Sequence, residues 1–234
     1  MPDMAANPLA CAACPVRDRA ACSALGEDER DELARFGKHR TLQRGETLFQ
    51  SGDDSFACAT LISGALKISS FGEDGTERIL SLVHPAGFVG EMFAPVARHD
   101  VIALTDSRLC LFGRVDYQRA VERFPALGRA LLRRSAEDLF ESRSIIDLMS
   151  RRSARQKVAG FLLAMARAAS ESPCHADSSF DLPLSREEMA GVLGLTIETV
   201  SRQIGKLEND RIIEREGRRG IRLLDPGRLE ALAG

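Results

Sequence analysis

The C-terminal fifth of the sequence constrains the fold of this 234-residue chain more than any other part. Ser185 followed three residues later by Glu188 forms a capping box, which predicts that a helix begins there. Gly194 predicts the end of that helix, because glycine adopts the left-handed conformation without strain. Thr196 then caps a second helix, over 197–209. Two short helices joined by a tight glycine turn predict a helix-turn-helix.

The second helix has one apolar and one polar face. Val200, Ile204 and Leu207 recur at helical spacing and predict the buried stripe. The opposite face carries side chains that can contact DNA: Glu198, Ser201, Arg202 and Lys206. Arginine can donate two hydrogen bonds to guanine, and glutamate can accept one from cytosine. A carboxylate is repelled by phosphate, so its place on a face toward DNA indicates base contact. The alternative is a solvated face with an internal Glu198–Arg202 ion pair, which is common on helices.

A small hairpin follows the second helix. Residues 212–213 and 221–223 are its predicted strands, and the Gly-Arg-Arg-Gly turn at 217–220 is its tip. This tip is a wing that carries Arg218 and Arg219. With the capping box, the glycine turn and the wing around it, the polar helical face is interpreted as a DNA-reading surface.

Upstream of this region the residue pattern is different. Short β-branched segments alternate with glycines over 40–112, which predicts a small antiparallel barrel or jelly roll. A short helix is expected over 27–36, with Leu33 and Phe36 on its apolar side. Residues 1–24, rich in Ala, Cys and Pro, are expected to form an arm.

A long helix is predicted to begin at Pro125, and a second over 154–169, followed by a polar loop over 170–181. In the long helix, six residues recur at alternate steps of three and four, the spacing of a coiled-coil seam: Leu132, Ser135, Leu139, Ser142, Ile146 and Met149. We interpret them as a homodimer interface, because so long a helix extends beyond the surface of a small barrel. The same spacing would also suit a helix lying on its own domain.

The expected fold class is therefore α+β. It comprises an arm (1–24), an antiparallel β-roll, or jelly-roll, sensor domain (25–115), a dimerisation helix region (116–150) and a C-terminal winged helix-turn-helix domain (151–234). The net charge of −2 gives no sign of a nucleic-acid partner, so any DNA-binding surface must be local.

Six cysteines carry the second functional signal. No apolar run is long enough for a membrane span, and no basic start precedes an apolar stretch, so we expect a cytoplasmic protein with reduced thiols. Cys11, Cys14 and Cys22 cluster near the N-terminus and predict a metal or cofactor site rather than a disulfide framework. Cys58 is expected to be a small buried hydrophobe, and Cys174 a free surface thiol.

Two other classes of protein fit less well. The chain contains no phosphate-binding glycine loop with lysine, no Gly-x-Ser-x-Gly and no His-Glu-x-x-His, so an enzyme is not expected. In an architectural DNA-binding protein without a sensor, the cysteine arm would have no function. No histidine has a partner at ligand spacing, and we assign no role to the four of them: His39, His84, His99 and His175.

The stretch from Leu193 to Arg202, Leu-Gly-Leu-Thr-Ile-Glu-Thr-Val-Ser-Arg, resembles the recognition motif of the CRP/FNR regulators. It is most similar to the FNR branch, whose Glu, Ser and Arg read TTGAT-type half-sites. The resemblance covers nearly the whole chain and implies a transcription activator with RNA polymerase as a partner. It places a larger set of residues at the DNA: Glu198, Ser201, Arg202, Thr196, Thr199, Lys206, Arg218 and Arg219.

The same resemblance implies a [4Fe–4S] cluster, which needs four cysteine ligands. Cys11, Cys14 and Cys22 would supply three of them. Cys110, by its place in 103–112, resembles the roll cysteine that completes the cluster in FNR proteins. The arm spacing departs from the enteric form and is similar to that of some alphaproteobacterial members. Tetrathiolate zinc or a bare thiol redox switch would use the same residues.

Cyclic nucleotide is not the expected input. The Gly-Glu of the nucleotide-binding cassette is present at residues 90–91, but the following Arg-Ser/Thr-Ala is absent. Asp100 would instead place a negative charge near the phosphate. The resemblance implies an oxygen response in which the cluster ties the arm to the roll and the long helices pair. Oxygen would break that tie, and the serines of the seam would then let the dimer weaken.

Overall fold

The computed structural model describes residues 11–151, 153–170 and 178–234. Contacts between Cα atoms divide the chain into two units. The first takes in residues up to 76 and 80–141, and the second takes in 77–79 and 142–234. The thiol expected to be free at Cys174 lies outside the described residues.

The first unit is built around a β-roll. Its strands are β1 (Gly37–Leu42), β2 (Thr47–Phe49), β3 (Ala57–Ser63), β4 (Leu66–Phe71), β5 (Glu77–Val83), β6 (Phe88–Val89), β7 (Asp100–Ala103) and β8 (Ser107–Gly113). They form two four-stranded sheets, with strand orders β1-β8-β3-β6 and β2-β7-β4-β5. Both sheets contribute to one apolar core, in which Leu42, Leu61, Leu66 and Leu109 are fully buried. The predicted antiparallel β-roll is confirmed.

One turn of the roll depends on glycine. Gly64, between β3 and β4, has φ of +94°, in the left-handed region that favours glycine. A Cβ atom there would lie 2.6 Å from the carbonyl oxygen of Asp106 and 2.8 Å from the Cα atom of Ser107. The two chain segments therefore approach each other too closely for any side chain at this position.

The first helix, α1, spans Glu27–Ala34 and is shorter than the sequence predicts. The expectation that Phe36 packs on its apolar side is wrong, since Phe36 is 49% exposed. The helix ends before this residue and β1 begins at Gly37, so Phe36 no longer follows the helical period. The buried face of α1 consists instead of Leu33 and, one turn earlier, Arg30.

Two helices follow the roll without a gap. α2 (Arg114–Arg123) begins where β8 ends, and it buries Tyr117 and Ala120. These residues were expected in the dimerisation region, without a separate helix of their own. α3 (Pro125–Ser150) is the predicted long helix, of 26 residues. No helix among the described residues is long and apolar enough to cross a membrane.

The second unit contains the predicted pair of short helices. Its elements are α4 (Ala154–Ala169), β9 (Ser179–Asp181), α5 (Arg186–Leu193), α6 (Ile197–Asn209), β10 (Ile213–Glu216), β11 (Gly220–Leu223) and α7 (Pro226–Ala233). The sheet has the order β10-β11-β9. Residues 179–181, predicted as loop, are the edge strand β9, because Phe180 is buried and pairs with Ile221. Residues 171–177 of that loop lie outside the described part of the chain.

Candidate functional site

The helix-turn-helix is held by the local interactions that the sequence predicts. The Ser185 side chain accepts from the Glu188 backbone N–H at 3.1 Å, and the Glu188 carboxylate accepts from the Ser185 backbone N–H at 2.7 Å. Gly194 ends α5 with φ of +60°. Thr196 caps α6, its hydroxyl oxygen accepting from the Thr199 backbone N–H at 3.3 Å. These caps fix where α6 begins, and therefore which of its residues occupy its first turn.

The two faces of α6 differ as its periodicity requires. Val200 and Leu207 are fully buried, and Ile204 is 1% exposed. On the other face the four predicted DNA-contacting side chains are exposed: Glu198, Ser201, Arg202 and Lys206. Thr196 is exposed as well, and Thr199 is half-buried. One face of α6 thus presents Glu198, Arg202 and Lys206, with Ser201 beside them, to solvent.

The charged residues of this face, Glu198, Arg202 and Lys206, form no ion pair among the described residues. Among the described residues no ion pair joins Glu198 to Arg202, so the alternative of an internally paired helical face lacks its pair. The pKa of Glu198 is lowered because its own backbone N–H and the Thr196 hydroxyl donate to the carboxylate. Glu198 is therefore an ionised acceptor at neutral pH, as an acceptor for cytosine N4 must be.

The two predicted wing arginines differ from each other. Gly217, with φ of +62°, forms the turn between β10 and β11, and the Arg218 side chain next to it is exposed. Arg219 is half-buried, and its guanidinium donates to the Pro183 carbonyl at 3.4 Å. Arg222, further along β11, is paired with Glu216 at 3.0 Å. Arg218 has no ion-pair partner within the described segments, so its charge is available to a phosphate.

The second site lies in the first unit, where the arm packs on the β-roll. The arm forms two 3₁₀ turns, Cys11–Ala13 and Ala21–Ala24. Between them Val16 is 2% exposed and Ala20 is 1% exposed. Both pack against Ile62 of β3 and Ala86 of the roll. Apolar contacts, besides any bound group, therefore hold the arm to the roll.

This packing brings the four predicted ligand cysteines together. They line one cavity of about 140 Å³: Cys11, Cys14, Cys22 and Cys110. Cys110 reaches it from β8, where it pairs with His39 of β1 and Thr60 of β3. All four are half-buried free cysteines. Cys58 is fully buried, which confirms its prediction as a small core residue.

The thiols interact with one another. The pKa of Cys110 is raised to about 12, first by burial and then by the neighbouring Cys14, Cys11 and Cys22. The pKa values of Cys11 and Cys22 are raised for the same reasons, with burial first. Without a bound group the thiols of Cys11, Cys22 and Cys110 therefore favour the neutral form. Because a metal ligand must be a thiolate, metal binding would displace protons.

Space and donor type together test whether a cluster fits. Within the described residues no group of three or more His, Cys, Asp or Glu side chains is arranged to hold a metal ion. The cysteines lie instead on the wall of a cavity, and its volume of about 140 Å³ far exceeds the roughly 10–15 Å³ that one water molecule needs. Thiolates are the ligands of iron–sulfur clusters. The donor set and the space fit a thiolate-bound group of several atoms.

Two polar residues on the wall of this cavity were missed by the sequence analysis. Arg30 is buried, and its guanidinium donates to the carbonyls of Cys22 at 3.3 Å and Leu25 at 2.9 Å. His39, to which the sequence gave no role, has a buried Nδ1 with no hydrogen-bond partner among the described residues. Arg30 lies three residues before Leu33, on the same face of α1, and this spacing could have predicted that Arg30 is buried. Nothing local signals the second, because it depends on the pairing of β1 with β8.

The predicted dimer seam is uncovered along α3. Leu132 is 72% exposed, Leu139 50% and Ile146 63%. Met149 and Ser135 are also exposed, and Ser142 is half-buried. Phe140, which the sequence analysis did not include, is 71% exposed. A helix lying on its own domain along this stripe would bury these apolar side chains, so the exposures argue against that alternative.

Comparison with protein families finds two matches in this chain. Residues 39–124, from β1 to the end of α2, match the family of the cyclic nucleotide-binding domain. Residues 156–232 match the Crp-like helix-turn-helix domain. The first match describes the fold of the β-roll. The second covers α5 and α6 together with the wing.

Similar proteins of the whole length are transcription regulators. The chain is 36% identical to the transcriptional activator protein FnrL of Cereibacter sphaeroides over 227 residues, 96% of this chain and 92% of that protein. It is 34% identical to the nitrogen fixation regulation protein FixK of Bradyrhizobium diazoefficiens, over 95% and 93% of the two chains. The structure of FixK2 from Bradyrhizobium japonicum is similar with a TM-score of 0.77 and 26% identity, covering 85% of this chain and 98% of that one.

Proposed function

The chain belongs to the CRP/FNR family of transcription regulators, and we propose that it is an oxygen-responsive member that binds a [4Fe–4S] cluster. As a regulator of this family with a Crp-like helix-turn-helix, it binds DNA and is not an enzyme. The proposed ligands are Cys11, Cys14, Cys22 and Cys110. Regulation of anaerobic or microaerobic genes follows from the proposed oxygen response.

One observation carries this proposal. Cysteines that lie far apart in the sequence, three on the arm and one on β8, line a single cavity in the first unit. A tetrahedral zinc site, with four sulfurs about 2.3 Å from one ion, leaves no cavity between its ligands. A cluster held by four thiolates would need such a space. The cavity therefore leaves room for a cluster, and the cluster is the group proposed here.

Position along the chain suggests how the site would act on the helices. When bound, the cluster would supply metal–thiolate bonds between arm and roll that oxygen can break. Cys110 lies on β8, which leads directly into α2 and then α3. Swinging a two-state equilibrium from mostly off to mostly on takes about 5.5 kcal/mol of differential stabilisation. The free energy lost with four metal–thiolate bonds is large enough to supply this difference.

We propose that α3 is the output of this switch. Its exposed apolar residues would form the seam of a homodimer, with Ser135 and Ser142 keeping that seam weak enough to be regulated. A dimer would hold two copies of α6 about one DNA turn apart, ~34 Å. Glu198, Ser201 and Arg202 would then read a TTGAT-like half-site in each. RNA polymerase is the proposed further partner, since the similar FnrL is a transcriptional activator.

We do not propose cyclic nucleotide as the input, although the β-roll has the fold of that domain. Glu91, the glutamate that remains of the nucleotide cassette, is occupied by Arg98. Its carboxylate accepts from the Arg98 backbone N–H at 2.9 Å and pairs with the guanidinium at 3.2 Å. Asp100, two residues after Arg98, is 9% exposed, so a phosphate bound here would lie near a second carboxylate.

Anaerobic purification tests the proposal. We expect brown protein with about four irons and four sulfides per chain, and with the absorption of an iron–sulfur cluster. Exposure to air should lower the dimer fraction in analytical ultracentrifugation and weaken binding to a TTGAT palindrome. Zinc in place of iron would contradict the cluster. Iron-loaded protein whose DNA affinity is the same in air would contradict the oxygen response.

A further inference from the structure

Arg30 is a buried cation on the wall of the cysteine cavity. It projects from α1 and is 8% exposed. Its guanidinium donates two hydrogen bonds, both to backbone carbonyls, those of Cys22 and Leu25. Neither acceptor carries a charge. These bonds orient the guanidinium and fix the chain at Cys22, but they leave its positive charge uncompensated.

No ion pair among the described residues includes Arg30. The nearest comparison is Arg17, which lines the same cavity and is paired with Glu27 at 3.0 Å. Glu29, beside Arg30 in sequence, is engaged by the Gly26 backbone N–H at 2.9 Å. Burying an ionised group without a partner is strongly unfavourable, so a buried arginine without an anion implies that the anion comes from elsewhere.

A second observation on the same wall points to a bound group. The Nδ1 atom of His39 is buried and has no hydrogen-bond partner in the described part of the chain. Buried polar atoms are nearly always hydrogen-bonded in native proteins. His39 faces Cys110 across the β1–β8 pairing. A buried positive charge and an unused polar atom thus border the cavity that the four cysteines line. Its two other arginines, Arg17 and Arg108, are not buried.

We propose that Arg30 is the counter-ion of the anionic group that the four cysteines hold, and that it positions Cys22 for binding. The inference rests on the proposed function, since a cluster with four thiolate ligands carries a net negative charge. Arg30 is a positioning residue and not a ligand: it acts through its charge and through the Cys22 carbonyl. The competing role is a structural clamp, in which Arg30 only ties α1 to the turn before it.

Two substitutions separate these roles. Arg30→Lys keeps the charge and loses the planar fork, whereas Arg30→Gln keeps a donor and loses the charge. Arg17→Gln is the matched control, because that arginine lines the same cavity but is already paired. Each protein is loaded anaerobically. The rate at which its iron passes to a chelator is then followed under argon, and urea unfolding of the metal-free protein is measured alongside.

Arg30→Gln should release iron about tenfold faster than wild type, the low end of the effect of residues that support metal ligands. Arg17→Gln should stay within about twofold of wild type. Arg30→Lys, which keeps the charge but loses the fork to the Cys22 and Leu25 carbonyls, should lie between wild type and Arg30→Gln. The metal-free Arg30→Gln protein should unfold at the same or a higher urea concentration, because an uncompensated buried charge has been removed.

Wild-type iron release in Arg30→Gln would overturn the inference. So would a loss of metal-free stability in both Arg30 variants that accounts for their faster release, because that is the signature of a clamp. If the wild-type protein proves to hold zinc, the proposed cluster fails while Arg30 is still tested by zinc release, since tetrathiolate zinc is also anionic. A wild-type protein that binds no metal at these cysteines would overturn both.

Discussion

The proposed DNA-reading surface and the cysteine cavity are built in opposite ways. The first is one face of α6, a single helix whose caps and apolar stripe lie within about twenty residues of each other. The second joins the arm, α1, β1 and β8, which are spread over a hundred residues of sequence. A surface on one helix can lose a side chain and keep the others in place. A cavity made by several segments depends on all of them at once.

This difference has a consequence for mutagenesis. Residues of α6 should contribute separate increments to base preference, because their backbone is fixed whether or not one side chain is present. The cysteines should behave as one unit, since a cluster without a ligand is not partly bound but lost.

The largest effect is expected at Cys110. Cys110→Ser should remove essentially all cluster iron, and Cys14→Ser should do the same, so that the double variant is no worse than either. Anaerobic iron and sulfide analysis measures this. Cys58→Ser, a fully buried position outside the ligand set, and Cys174→Ser should keep the cluster. A full iron load in Cys110→Ser would refute the ligand assignment and the all-or-none behaviour.

On α6 we expect partial effects that depend on the base. Arg202→Ala should lose about 1–3 kcal/mol of discrimination for its guanine while retaining non-specific, salt-sensitive binding. Glu198→Ala should relax selectivity at a cytosine with little loss of total affinity, because it removes an ionised carboxylate from a negative groove. Anaerobic titrations against single-base variants of the half-site measure both. Unchanged base preferences in both variants would mean that α6 is not the reading helix.

The seam of α3 should give a smaller change. Ser142→Leu fills a half-buried polar position with an apolar side chain, so the dimer should tighten about tenfold and persist in air. Ser135→Leu, at an exposed position of the same stripe, should give a similar or smaller shift. Sedimentation in air is the measurement. If both variants are as monomeric as the parent, the seam lies elsewhere on the helix.

The smallest effects are expected in the wing, where its two arginines should differ. Arg218→Ala should weaken binding to every sequence by less than about 1 kcal/mol and lower the salt dependence by about one phosphate contact. Arg219→Ala should cost about 1 kcal/mol of folding stability instead, because its hydrogen bond to Pro183 is lost. DNA titrations over a salt series and urea unfolding separate the two. Equal losses of affinity would show that both arginines contact phosphate.

The sequence was sufficient for the fold of the helix-turn-helix. Ser185, Gly194 and Thr196 act on backbone groups a few residues away, and Val200, Ile204 and Leu207 follow the period of the helix itself. Every determinant of that surface is local, so spacing alone predicts which side chains face outward. The same holds for the alternation of short segments and glycines that predicts the β-roll.

Only the tertiary structure decided what surrounds the cysteines. The burial of Arg30 and the exposure of Phe36 both depend on where α1 stops and β1 begins, which overrides a continuous helical period. His39 meets Cys110 because β1 and β8 pair in one register, although seventy residues separate them in the chain. Sequence spacing carries no record of such a pairing. Contacts between distant segments are set by the packing of the whole unit, and the chemistry of the cavity depends on those contacts.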